Sequence, residues 1–335
     1  MDRTIADFLA GMQLGVAQTH KNMTLHCLIG ATECPITYLT LDEALKAEAL
    51  RVQELSEGGS VPELRVHNRA ERHVLLLDGE ELVGAKQNRV LNVTILIAAG
   101  SETVIPVSCV EQGRWSYRSR QFSSESRVMS SRLRKSKSDS VCASLRHSGT
   151  YASDQAMVWS DIRAKHARME SAPSPTMAMA DLYDTHVDDV REFMESFRPV
   201  QGQAGMIVFI DDRPAGMELF GTHETLRRTH AKLVQSYVMD ALETSRGWGE
   251  RRQQSHSDEA ADYLRAAAQT DVERRVSVGL GQDLRIRSAG LVGAGLEFEG
   301  YVLHLSVFPN DLGHERQEGS GPLTRASRRR ELLRG

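Results

Sequence analysis

Val74-Leu-Leu-Leu77, Asp78-Gly79 and Glu80-Glu-Leu-Val-Gly-Ala85 make up the run whose reading decides the fold. Four apolar residues, a pair that tolerates positive φ and a return segment spell a β-hairpin, because Asp-Gly fits a tight primed turn. Working outward, Leu64 to Val110 is rich in Val, Ile, Leu and Thr and is broken by turn residues, which predicts antiparallel strands. Val93–Ile97 and Thr103–Val107 read as a second pair across Ala99-Gly100-Ser101. Short strands and the Ala98-Ala99-Gly100 to Ile105-Pro106 sequence suit a jelly-roll, cupin-like sheet, although its clustered histidine ligands are not visible.

Upstream, Ile5, Phe8, Leu9 and Met12 recur at helical spacing, a short apolar segment covers Leu25 to Ile29, and Leu41 to Leu55 reads as a helix ended by Glu57-Gly58-Gly59. Downstream, Arg114 to Lys137 holds eight basic residues and one acid, a net +7, and ten serines lie between Ser116 and Ser140. This segment reads as irregular and mobile, since neither strand nor helix periodicity persists through it. Ser153 opens a helix showing Trp159, Ile162, His166 and Met169; after a Ser-Ala-Pro-Ser-Pro break, a second shows Leu182, His186, Val190, Phe193, Met194 and Phe197. The two read as an antiparallel pair. Met206–Ile210 and Met217–Phe220 form a hairpin, Leu226, Leu233, Tyr237, Val238 and Ala241 share a helix stripe, and Ser257-Asp258-Glu259 starts another helix. Val276–Val278, Leu284–Ile286, Leu296–Phe298 and Val302–Phe308 return to strands.

The expectation is an α+β protein with an antiparallel β-rich N-terminal half, a helical insertion and further hairpins packed on helices. Residues 1–309 form one composite domain: a β-rich part over 1–113, the basic segment 114–140, the helical pair 151–198 and mixed elements over 200–309. A polar, Arg-rich tail over 310–335 reads as poorly ordered.

At 335 residues, 40% hydrophobic and 26% charged, the chain can bury a sizeable core. No apolar run is long enough to span a membrane. A net charge of −4 argues against a chain devoted throughout to nucleic acid. Cys27, Cys34, Cys109 and Cys142 are too scattered for a disulfide framework, so reduced thiols and a cytoplasmic setting are expected. His223-Glu224-Thr225-Leu226-Arg227 starts like a zinc-protease helix but lacks the second His, and no metal site is predicted. Cys109 ends an apolar strand and reads as a packed thiol.

Six strongly polar residues crowd the strand region after the Asp-Gly turn. In an extended chain, Glu81, Gln87 and Arg89 would lie on one side and Glu80, Lys86 and Asn88 on the other. A second polar group, Glu111-Gln112-Gly113-Arg114-Trp115-Ser116-Tyr117, closes the strand ending at Val110. Together they supply what a phosphorylated nucleotide needs. Lys86, Arg89 or Arg114 could neutralise phosphate, with Gln87 and Asn88 beside them, and Trp115 or Tyr117 could stack on a base. Glu80, Glu81 and Glu111 are the catalytic candidates, suited to hold a divalent cation or activate water. The same residues could equally form a salt-bridged sheet edge.

These strings, Leu76 to Arg89 and Ile105 to Trp115, with the weaker Gln203-Ala204-Gly205 and Gly290 to Ala294, resemble a bacterial family, the ARG (ADP-ribosylglycohydrolase) and rhodanese-phosphatase-superfamily-associated protein domain, over most of residues 1–309. The resemblance implies association with enzymes acting on ADP-ribose or phosphate, and with NAD-linked conflict or repair systems. It implies ADP-ribose-processing or phosphatase proteins as partners but assigns no reaction, cofactor or catalytic residue.

Three functions follow as expectations. The first is a site that binds and hydrolyses an ADP-ribose, NAD or other phosphorylated nucleotide ligand. The second is a non-catalytic scaffold whose polar strings hold a sheet edge or the subunit contact of a homo-oligomer. The third is nucleic-acid contact through the basic segment and the Arg-rich tail.

Overall fold

Met206 to Ile210 is apolar at every position because both faces of its strand are covered: Met206, Val208 and Ile210 enter one core cluster, while Ile207 and Phe209 enter another. Such a run belongs to a sheet packed on both sides. The computed structural model describes residues 3–30, 34–56, 58, 60–171, 175–244 and 256–310. The expected tail over 310–335 lies outside the described residues beyond Asn310, which is itself tied to Gly290 and Ser288.

In chain order the elements are α1 (Arg3–Ala10), β1 (Gln13–His20), β2 (Met23–Ile29), β3 (Tyr38–Thr40), α2 (Leu41–Lys46), β4 (Leu50–Glu54), β5 (Glu63–Asn68), β6 (His73–Leu76), β7 (Glu81–Gly84), β8 (Arg89–Leu91), β9 (Ile95–Ile97), β10 (Glu102–Cys109), β11 (Phe122–Ser123) and α3 (Ser131–Ser148). There follow α4 (Gln155–Met169), α5 (Met179–Thr185), α6 (Val187–Ser196), β12 (Gln203–Ile210), β13 (Arg213–Phe220), α7 (His223–Thr244), α8 (Ser257–Ala268), β14 (Val272–Val276), β15 (Gln282–Arg287), β16 (Leu291–Phe298) and β17 (Tyr301–Pro309).

The protein is α+β. An eight-stranded antiparallel sheet runs β1-β2-β12-β13-β17-β16-β15-β14, a six-stranded one β11-β7-β8-β10-β5-β4, and a three-stranded one β3-β6-β9. Ile5 and Leu9 of α1 and Tyr263 of α8 cover one face of the large sheet. The other face packs on Leu233 and Tyr237 of α7 and on Phe193 of α6. The smaller sheets share a third cluster with α2 and with Val141 and Leu145 of α3.

Helix α7 carries many buried polar groups, and ion pairs tie it to its surroundings. Lys232 pairs with Glu80 and, at 2.7 Å, with Asp42; Asp240 and Glu243 receive Lys165 at 2.6 and 2.5 Å. Tyr237 donates to Glu218, which also binds Arg134 of α3 at 2.6 Å. Buried charge requires this kind of pairing.

Several local expectations are corrected. Asp78-Gly79 is a turn, with Gly79 at φ +82° and the Glu80 amide donating to the Leu77 carbonyl, but it does not close a hairpin. β6 pairs with β9 and β3, whereas β7 pairs with β8, so the chain crosses between sheets there. Nor does Val93–Ile97 pair with Thr103–Val107: β10 pairs with β5 and β8. The helix expected over Leu41 to Leu55 ends at Lys46; Glu48 turns at φ +54°, and the rest is β4, paired with β5. The segment 114–140 is not irregular throughout. From Ser131 it is helical, because Leu133, Val141, Cys142 and Leu145 are buried and Arg134 and Lys137 reach interior carboxylates. Asp154, not Ser153, caps α4, the second expected helix is broken at His186 into α5 and α6, and the strand placed at Val276–Val278 is Val272–Val276.

Candidate functional site

Glu81 to Arg89 closes a hairpin within itself: Glu81 sits opposite Val90 and Leu82 opposite Arg89. The reversal runs through Gly84 at φ +129° and Ala85 at φ +39°, so the expected two-sided alternation over Glu80 to Arg89 is broken at residues 85–88, which form a loop. A β-carbon on Gly84 would meet Ser119 Oγ at 2.5 Å and the Gln121 carbonyl oxygen at 2.9 Å, which is why glycine stands there.

The two polar strings do meet. The Asn88 amide donates to Glu111 at 3.1 Å, and Arg114 donates to both Glu111 oxygens at 2.9 and 2.6 Å. Arg114 also donates to the carbonyls of Ala85 at 2.7 Å and Ser116 at 2.9 Å, and to the Asn88 side chain at 3.2 Å. Its planar fork is thus fully engaged in holding the 85–88 loop against the chain after β10. Asn88 in turn donates to Glu81 at 3.4 Å. Burial pushes the Glu81 carboxyl up to about 7, against the pull of Arg127, and one of its oxygens has no hydrogen-bond partner among the described residues.

Glu80 is not part of this group. It faces α7, where it takes Lys232 and the Leu77 amide, and burial raises its pKa against the pull of Lys232.

A second face of the hairpin carries Lys86, Gln87 and Arg89. Arg89 is fully buried and donates to the Gln87 backbone and side chain at 3.1 and 3.3 Å. Glu54 of β4 lies 3.7 Å from its Nη2, yet Arg89 Nε and Nη2 and both Glu54 oxygens have no hydrogen-bond partner among the described residues. Lys86 Nζ donates to the Gly58 carbonyl at 2.7 Å and lies 5.2 and 5.1 Å from the ring centres of Trp115 and Tyr117. Trp115 also lies 5.8 Å from the Arg89 guanidinium. Both rings are about half exposed, at 48% and 52%. Two cations beneath two accessible aromatic rings can receive an anion that carries a planar group.

Glu54 was missed by sequence reasoning because a helix ending at Leu55 leaves no reason to pair it with Arg89. Arg127 lay in a segment read as mobile, so nothing linked it to Glu81. Of the eight basic residues between Arg114 and Lys137, five pair with carboxylates: Arg114, Arg127, Arg132, Arg134 and Lys137. Cys109 is buried, with its thiol pushed up to about 11 by burial. His223 contacts the Gln203 carbonyl at 2.8 Å, and burial lowers His230 to about 4. Among the described residues no group of three or more His, Cys, Asp or Glu is placed to hold a metal, and no helix is long and apolar enough to cross a membrane.

No curated protein and no solved structure matches the chain. Residues 11–308 match the ARG and Rhodanese-Phosphatase-superfamily-associated Protein domain. That span contains both polar strings, the hairpin they build and all three sheets, and the protein belongs to this family.

Proposed function

We propose that the protein binds a phosphorylated nucleotide of the ADP-ribose or NAD type on the outer face of the β7–β8 hairpin. Lys86 and Arg89 meet the phosphate, Trp115 and Tyr117 take the base, and Gln87 positions Arg89. The observation that carries this reading is the Arg89 guanidinium, buried under Trp115, whose Nε and Nη2 have no hydrogen-bond acceptor among the described residues, Glu54 standing 3.7 Å from Nη2. A buried donor without a partner is costly unless a ligand or solvent satisfies it. Arg114 is a positioning residue here, since its donors already hold Glu111 and the loop.

If the bound ligand is hydrolysed, Glu81 is the group suited to move a proton at neutral pH, with Glu111 held beside Asn88 as the second carboxyl. The family's association with ADP-ribosylglycohydrolase and rhodanese-phosphatase proteins makes such proteins the proposed partners.

Calorimetric titration of the full chain with ADP-ribose, NAD and AMP tests the reading. We expect saturable binding that weakens about 5- to 150-fold in Trp115→Ala, the range of one lost base stack, and falls further in Lys86→Met. Absence of binding to all three, or an unchanged affinity in both variants, overturns it.

The scaffold reading has one observation of its own: the Glu111–Arg114–Asn88 group satisfies itself without any ligand. It predicts that Glu81→Ala alters stability or oligomeric state while no nucleotide has an effect.

A further inference from the structure

Where the C-terminal turn of α3 meets the edge strand β14 and its neighbour β15, a pocket of about 170 Å³ is lined by four arginines, Arg146, Arg275, Arg285 and Arg287, with Asp271 and Glu273. Arg285 is 4% exposed, a burial that guanidinium groups tolerate only when well paired. Asp283 takes its Nε and Nη2 at 2.7 and 2.9 Å, which leaves Nη1 with no hydrogen-bond partner among the described residues. Arg275 pairs with Glu273, yet its Nε is likewise buried without a partner. The one ion pair of Arg287 among the described residues is a 3.4 Å contact with Asp139. Arg146, exposed in the last turn of α3, forms no ion pair among the described residues. Tyr151, just past α3, lies 5.8 Å from the Arg285 guanidinium and donates its hydroxyl to the Val276 carbonyl at 2.6 Å.

The geometry points to a second binding site, for a small tetrahedral oxyanion of the inorganic phosphate class, read by Arg285, Arg275 and Arg146. Convergent guanidinium forks with unengaged N–H groups recognise phosphate oxygens by charge-assisted, bidentate hydrogen bonds. Volume sets the ligand's size. Pockets for drug-sized ligands run to roughly 300–1,000 Å³, so this one admits a phosphate or a terminal phosphate group but not a dinucleotide. The site shares no residue with the hairpin face of β7 and β8, so it stands or falls independently of the nucleotide reading.

Calorimetric titration of the full chain with inorganic phosphate, against chloride at matched ionic strength, tests it. We expect saturable phosphate binding, weakened about tenfold or more in Arg275→Gln and in Arg146→Ala, the scale of one lost charge-assisted contact. Both positions are accessible enough for the variants to fold, and thermal unfolding without phosphate checks that they do. Trp115→Ala is expected to keep the phosphate affinity of the parent. Phosphate behaving like chloride, undiminished binding in both arginine variants, or loss of binding in Trp115→Ala overturns the assignment.

Discussion

Arg114→Ala separates a structural clamp from a ligand-binding cation. In the folded protein, Arg114 donates to both oxygens of Glu111, to the Ala85 and Ser116 carbonyls and to Asn88. Its side chain is 13% exposed and that of Glu111 is 7%, so the pair is largely but not fully withdrawn from water. Exposed pairs contribute at most about 1 kcal/mol, whereas removing one partner of a buried pair costs about 3–5 kcal/mol. The Ala85 carbonyl also loses its guanidinium donor, and Glu111 keeps only the Asn88 amide at 3.1 Å. We therefore expect Arg114→Ala to cost about 2–3 kcal/mol, read in urea unfolding as a midpoint lowered by on the order of 1 M at unchanged slope. Glu111→Gln combined with Arg114→Ala should cost less than the two single changes together, because each alone strands the other group. A loss under about 0.5 kcal/mol, the range of ordinary surface substitutions, refutes the clamp, and lost nucleotide affinity at unchanged stability reassigns Arg114 to the ligand.

Two further outcomes follow from buried charge. Glu81 titrates near 4.5 in its ordinary state and near 7 when folded, so between those values the native protein holds a proton that the unfolded chain has released. Stability should decline by about 3 kcal/mol as pH rises through that window and level off above it; Glu81→Gln should flatten the decline, and parallel profiles from unfolding at pH 5 and pH 8 would show the assignment to be wrong. Lys137 pairs with Asp78 and donates to the Leu91 and Asn92 carbonyls, all buried, so Lys137→Met should cost about 3–5 kcal/mol. Adding Asp78→Asn should restore part of that loss in chemical denaturation, and a neutral single variant contradicts the pairing.

The fold was legible where the signal was local and repeated. The hairpin of β12 and β13 followed from two apolar runs across a turn expected over Asp211 to Gly216, which the structure tightens to Asp211 and Asp212 at φ +51° and +63°, and α7 followed from its 3.6-residue stripe. Strand partnership was not legible. Val74 to Leu76 and Ile95 to Ile97 are alike in composition to Glu81–Gly84 and Thr103–Val107, and nothing local says which meets which. The helix α3 escaped notice because its many serines are middling helix formers and its apolar positions are sparse, and its stability comes from Leu133, Val141 and Leu145 packing inward with Arg134 reaching Glu218. Register and partnership are set by the whole core, which a single window of residues does not contain.

The polar strings pose a harder problem, since a ligand site and an interior ion network demand the same residue types. Glu80, Asn88, Arg89 and Arg114 read alike in the sequence, yet the structure divides them by how their hydrogen-bonding groups are engaged. Arg114 has acceptors for all three of its nitrogens, and Glu80 is closed off by Lys232 and the Leu77 amide. Arg89 and Arg285 are as deeply buried but keep donors that no group among the described residues accepts. Because burying an unpaired donor is costly, a fold that keeps one gains from whatever acceptor completes it. Arg114, by the same reasoning, has nothing left to offer a phosphate, so within this segment only the Arg89 guanidinium is left for the proposed ligand to engage.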